Sequence, residues 1–173
     1  MTEILRLMPE KYDLGRHSTT TMAAPMGQRE DIVKNADWYD IAGRRTIMGY
    51  ILPSWQRPLV WKEDQKIRFI ESAWLGLNLG TFTYNRVDTL KHPLDSLLID
   101  GQQRMSAIQD YLDDEFPVFG YRWSEITVPD RRRFNFSTTF ASYITQSEDE
   151  KYLRDYYNMM NFGGTAHKED ERA

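Results

Sequence analysis

Along the 173-residue chain, three stretches place apolar residues at helical spacing. Ile67, Ile70, Trp74 and Leu77 fall at i, i+3, i+7 and i+10, which predicts a helix over 63–77. Glu63 and Asp64 stand at its start, where the backbone dipole favours acids. Met105, Ile108 and Leu112 predict a helix over 102–112, and Leu153, Tyr156, Tyr157 and Met160 another over 149–160. Ile32, Ala36 and Tyr39 predict a shorter one over 31–39. Between these lie β-leaning runs. Ile47–Leu52 is stopped by Pro53, and Thr81–Tyr84 follows the turn at Gly76 and Gly80. Leu97-Leu98-Ile99 is apolar throughout, the mark of a central buried strand. The aromatic-rich stretches 116–123 and 133–144 are expected to contain strands. Residues 19–27 show no period and read as a loop or mobile arm. The pattern predicts one α+β domain over 46–173, a small mixed sheet flanked by helices, preceded by a partly irregular arm over 1–45.

Composition narrows the chemistry. Hydrophobic residues form 40% of the chain and aromatics 13%, enough for a core without a disulfide or metal staple. Cysteine is absent, which excludes thiolate catalysis and cysteine-based zinc sites and fits a cytoplasmic protein. No apolar run reaches the roughly 18–20 residues of a membrane span, so no membrane partner is expected. His17, His92 and His167 lie far apart in sequence, and no metal site is expected from them. The net charge of −4 is uneven: residues 1–86 hold 12 Lys and Arg against 10 acids, and residues 87–173 hold 10 against 16. Any DNA contact must therefore be a local basic patch. Arg131-Arg132-Arg133 is the candidate, set against the commoner reading of a solvated turn face.

The most informative segment is Ile99-Asp100-Gly101-Gln102-Gln103-Arg104, where a buried strand passes through a glycine directly into a helix. First-turn amides lack intrahelical acceptors and, with the dipole, favour an anion. Arg104 adds a forked cation, Gln102 and Gln103 add neutral donors and acceptors, and Asp100 can cap the helix, orient the arginine or hold a hydrated Mg²⁺. The arrangement suits phosphate. An ordinary N-cap turn with a solvated arginine explains the same residues. Trp55-Gln56-Arg57 with Trp61 precedes the first helix and offers stacking and phosphate contacts, with core anchoring as the plainer role for Trp61. Asn161 with Gly163-Gly164-Thr165 follows the last helix, and paired glycines permit close backbone approach to a ligand.

In this order, these elements resemble the N-terminal domain of GmrSD-type modification-dependent restriction enzymes, the DGQQR-motif family, which is similar to the ParB and sulfiredoxin superfamily. The resemblance rests on Trp55-Gln56-Arg57 with Trp61, on Gly76, on Ile99 through Arg104, and on Asn161 with Gly163-Gly164-Thr165, and spans residues 47–171. It implies a nucleoside triphosphate site built around Asp100, Gly101, Gln102, Gln103 and Arg104, with or without Mg²⁺, to which Arg57, Asn161, Gly163, Gly164 and Thr165 are added as candidate nucleotide contacts. Asp100, Gln103 and Arg104 would serve any slow hydrolysis. The resemblance also places Trp55 and Gln56 near the surface by which relatives sense modified DNA. Trp55 stands where relatives carry tyrosine, and Ala166-His167-Lys168 where they carry a Pro-Leu-Thr-like run. No nuclease segment follows Ala173, so DNA cutting by this chain alone is not expected.

Three readings follow. One is a nucleotide-dependent module of restriction or anti-restriction biology. A second is a non-enzymatic antagonist of a host defence protein, encoded by a phage or mobile element. The third is a ParB-like DNA-binding or nicking protein. A homo-oligomer is compatible with each.

Overall fold

The computed structural model describes residues 11–39, 41–89 and 91–162. In chain order the elements are β1 (Arg16–Thr21), α1 (Ala23–Lys34), β2 (Thr46–Ile47), β3 (Tyr50–Ile51), α2 (Glu63–Trp74), β4 (Thr81–Asn85), β5 (Leu98–Asp100), α3 (Gln102–Leu112), α4 (Val128–Ser137), β6 (Thr139–Thr145) and α5 (Glu150–Phe162). Single 3-10 turns occupy Ala36–Trp38 and Trp123–Glu125. The fold is α+β. Its sheet has the order β1-β6-β4-β5, with β4 parallel to β6 and the outer strands antiparallel to their neighbours. The pair β2–β3 forms a separate small hairpin.

Successive strand residues point to opposite faces, and this sheet is covered on both. Leu98 and Phe82 join a core with Met105, Ile108, Tyr111 and Phe140. Leu97 and Ile99 join a second cluster with Leu153, Tyr156 and Tyr157 of α5. That double burial explains the unbroken apolar run. The run is nevertheless the last strand of the four and not a central one. Ile51 covers its outer edge, donating its amide to Ser96 O at 2.8 Å and bridging Leu97 in parallel.

The helices expected around residues 63–77, 102–112 and 149–160 are α2, α3 and α5, although α2 ends at Trp74 and leaves Leu77 exposed beyond it. The N-terminal reading changes more. Residues 19–27 are not a loop: they end β1 and begin α1, and the helix expected over 31–39 ends at Lys34 before a 3-10 turn. The strand Arg16–Thr21 is polar, so no apolar alternation marks it. It exists because six consecutive residues pair with β6, from Arg16 with Ile144 to Thr21 with Thr139. Residues 47–52 form a hairpin and not one strand, turning at Met48 and Gly49 with φ of 50° and 78°. The stretch 116–123 holds one bridge, Val118 with Tyr121, and no strand. Residues 133–137 are helical, with β6 starting only at Thr139. Arg131, Arg132 and Arg133 therefore lie on a helix and not on a turn. Thr127 starts that helix by accepting the Asp130 amide at 3.3 Å.

Candidate functional site

The chain passes from β5 into α3 at Gly101, with φ of 96°. A Cβ there would lie 2.6 Å from Phe82 Cβ, so both conformation and space require glycine. Gly101 is itself the N-cap, and no side chain caps the helix. Asp100 instead orients the arginine: its Oδ2 accepts from Arg104 Nη2 at 2.9 Å. The same guanidinium nitrogen donates to Thr81 O at the start of β4. Arg104 is thus drawn against the protein, its side chain 25% exposed. Its buried Nε has no hydrogen-bond partner among the described residues.

The two glutamines act as clamps. Gln102 Nε2 donates to Arg57 O at 3.0 Å. Gln103 Oε1 accepts from both Val60 N and Trp61 N at 3.0 Å, and its Nε2 donates to Pro58 O at 3.3 Å. Together they fasten residues 57–61 onto α3. Gln56 Nε2 holds the same loop to β5 through the carbonyls of Leu98 and Ile99, which leaves its buried Oε1 without a partner among the described residues. Arg57 donates its amide to Tyr157 Oη at 3.3 Å, while its side chain is exposed.

Trp55 packs edge-on against Tyr157, with ring centroids 5.2 Å apart, and donates Nε1 to Glu150 Oε1 at 3.1 Å. The Arg154 guanidinium sits 5.8 Å from its ring centre. Trp61 packs on Phe69 of α2, centroids 5.6 Å apart, which combines the anchoring role with a place on the pocket wall. Asn161 donates Nδ2 to Tyr157 O at 3.0 Å. Gly163, Gly164 and Thr165 lie outside the described residues.

A pocket of about 150 Å³ opens at this junction, lined by Arg57, Trp61, Asp100, Gly101, Arg104 and Asn161 among others. Gln56, Arg57 and Gln102 also wall an adjoining groove of about 560 Å³ that carries Arg44, Arg45, Trp55 and Glu150. Arg131, Arg132 and Arg133 line neither. Two contributors escaped the sequence reading. Tyr157 looked only like part of an apolar stripe, whereas the adjacent pair Arg44-Arg45 before the first apolar run was a usable signal.

The pocket joins two arginines and a helix N-terminus against one carboxylate, a balance that suits an anion of phosphate size. It does not fit a resident Mg²⁺. Asp100 is the one carboxylate among its described lining residues, and Arg104 already takes one of its oxygens. Octahedral magnesium needs a fuller set of oxygen ligands.

Residues 39–172 match the GmrSD restriction endonuclease N-terminal domain. The chain belongs to that family. This GmrSD N-terminal domain match takes in the pocket, the adjoining groove and α5, and leaves β1 and α1 ahead of it. No curated protein and no solved structure matches the chain. Family membership ties the protein to restriction. Among its described residues no helix is long and apolar enough to cross a membrane.

Proposed function

We propose that the β5–α3 pocket binds the phosphates of a nucleoside triphosphate, and that this GmrSD N-terminal domain serves as a nucleotide-dependent module of a restriction or anti-restriction system. One observation carries the reading. The Arg104 guanidinium is pinned by Asp100 and the Thr81 carbonyl at the first turn of α3, in a pocket that Arg57 also lines. A cation already held in place costs no reorganisation when charge arrives. The pocket of about 150 Å³ is too small for a nucleoside, which would lie in the adjoining groove of about 560 Å³, within the usual range of ligand sites. Any Mg²⁺ would be carried in by the phosphates. For turnover, Gln103 has its acceptor oxygen committed to two amides, which leaves Asp100 to orient water and Arg104 to steady charge.

Titration calorimetry with each common triphosphate tests this. Arg57→Ala is the cleaner variant, because that side chain is exposed while its backbone makes the structural bonds. Each of Arg57→Ala and Arg104→Ala is expected to weaken binding about tenfold or more, the loss of a charge-assisted hydrogen bond. Absence of binding by every triphosphate, or affinity untouched by both substitutions, refutes the reading.

A second reading, the non-enzymatic antagonist of a host defence protein, is favoured by a different observation. Asp100 neutralises Arg104, and both glutamines are spent on residues 57–61, so much of the motif's polar capacity is satisfied within the chain. A host-protein complex that persists in Arg57→Ala and Arg104→Ala, with no nucleotide bound to the parent chain, selects it.

A further inference from the structure

The strand β1 forms one edge of the four-stranded sheet, and the two edges are finished differently. At the β5 edge, Ile51 donates to Ser96 O and bridges Leu97, which covers it. The β1 edge has no such cover among the described residues. Its hydrogen-bond direction follows from the register. Met22 N donates to Thr138 O at 2.9 Å, one step beyond the Thr21–Thr139 pair. In an antiparallel pair, every second residue bonds the facing strand and those between point away. Arg16, Ser18 and Thr20 therefore bond β6, and His17, Thr19 and Thr21 aim their backbone N–H and C=O outward. Apart from the Thr20 hydroxyl, 3.4 Å from Thr21 O, those outward groups meet no hydrogen-bond partner among the described residues.

Edges that stay single are normally guarded by proline, lysine, a bulge or an inward charge. β1 has no proline and no lysine, and it pairs with β6 over six consecutive residues without a shift. Its one charged residue, Arg16, is exposed at the first position. The surroundings are neutral as well. Asp13 accepts the Gly15 amide at 2.8 Å, and no charged residue stands between Arg16 and Arg29. The neighbouring strand β6 carries no charge. His17 sets its ring 5.1 Å from that of Tyr143, its register partner.

We propose that β1 pairs edge to edge with β1 of a second copy of this chain, antiparallel about a two-fold axis at Thr19, joining the two sheets into one. Self-complementarity selects a second copy, because a two-fold contact requires one patch to match itself. With Thr19 opposite its own counterpart, His17 faces Thr21 and Ser18 faces Thr20 of the second copy. The three outward positions then meet as hydrogen-bonded pairs. That register sets small hydroxyl side chains against each other, a favourable cross-strand pairing. It also places Arg16 opposite Met22 and away from the other Arg16, so like charges do not meet. A seam of six residues is shorter than a standard interface of about 1,200–2,000 Å², so the dimer is concentration-dependent. The nucleotide pocket lies at the β5 edge, across the sheet, and takes no part in the seam.

Sedimentation velocity on the full chain, from about 1 μM to about 1 mM, tests this across the range of weak association. A monomer–dimer equilibrium is expected. Thr19→Pro is expected to weaken it about tenfold or more, because proline removes an outward N–H from both copies while sparing the bonds to β6. Charge exchange reads the register. Thr19→Lys and Thr19→Glu are each expected to weaken self-association about threefold or more, and an equimolar mixture of the two to restore it, since position 19 faces itself. Triphosphate calorimetry on the same variants is expected to be unchanged, so failure of the dimer and failure of the nucleotide site read separately. A monomer throughout that range, a dimer indifferent to Thr19→Pro, or a mixture that associates no better than its components overturns the proposal. So does a chain that stays monomeric and takes an extended peptide of another protein at this edge.

Discussion

Gln103 offers the sharpest stability test, because one side chain holds three backbone groups of the loop that carries Arg57. It is 6% exposed on α3, and it engages Val60 N, Trp61 N and Pro58 O. A protein hydrogen bond contributes about 0.5–1.5 kcal/mol net, and a buried group left unpaired costs about 1–3 kcal/mol. Val60 is 58% exposed, so part of the loop regains water when the clamp is removed. The expected loss for Gln103→Ala is therefore about 3 kcal/mol, well below the full unpaired cost of all three groups. For a chain of this size that lowers Tm by about 6–12 °C. Urea unfolding and scanning calorimetry measure it, and calorimetry with nucleotide should show weaker binding as the Arg57 segment loosens. Gln103→Glu separates the bonds. Its oxygen still accepts the two amides, but at neutral pH a carboxylate faces the Pro58 carbonyl with no proton to donate. A Gln103→Ala variant within about 0.5 kcal/mol of the parent refutes the clamp, since that is the range of neutral surface changes.

Gly101→Ala forces a Cβ to within 2.6 Å of Phe82 Cβ at φ 96°, and is expected to cost more than about 2 kcal/mol, read by loss of cooperative thermal unfolding. Asn85, fully buried, bonds Leu94 O, Ser147 O, Thr145 Oγ1 and Ser147 N, so Asn85→Leu is expected to cost about 3 kcal/mol or more in denaturant unfolding. Burial, then the hydrogen bond to Asp31, push the Tyr39 hydroxyl up to about 12 from its ordinary value of 10.0. The unfolded tyrosine therefore ionises first: the Tyr39 contribution is complete below pH 10 and is lost as pH climbs through 12. Asp31→Asn is expected to lower the Tyr39 titration midpoint, followed by phenolate absorbance.

Local physics made much of this protein legible before any coordinates. The stripe of Ile67, Ile70 and Trp74, the stripe of Met105 and Ile108, and that of Leu153 and Tyr156 each announce a buried helix face, because a 3.6-residue period is written in neighbouring residues. The passage from Ile99 through Gly101 into Gln102 is equally local, and with it the place of the candidate pocket. Thr127 and Pro129 mark the start of α4, a local capping signal that the strand expectation for 133–144 did not use. Other features depended on partners distant in the chain. A polar run such as Arg16–Thr21 becomes a strand only because β6, more than a hundred residues later, pairs with its backbone, and backbone pairing leaves no trace in side-chain pattern. Side-chain roles at the motif were decided in the same way. Gln102 and Gln103 look like ligand contacts until residues 57–61 fold over them, and Arg104 looks solvated until Asp100 and the Thr81 carbonyl draw it inward. The sequence by itself determined α2, α3 and α5 and where a strand hands over to α3. Tertiary structure alone decided which polar atoms are spent on the fold, because hydrogen bonds are short and only the folded chain brings their partners within reach.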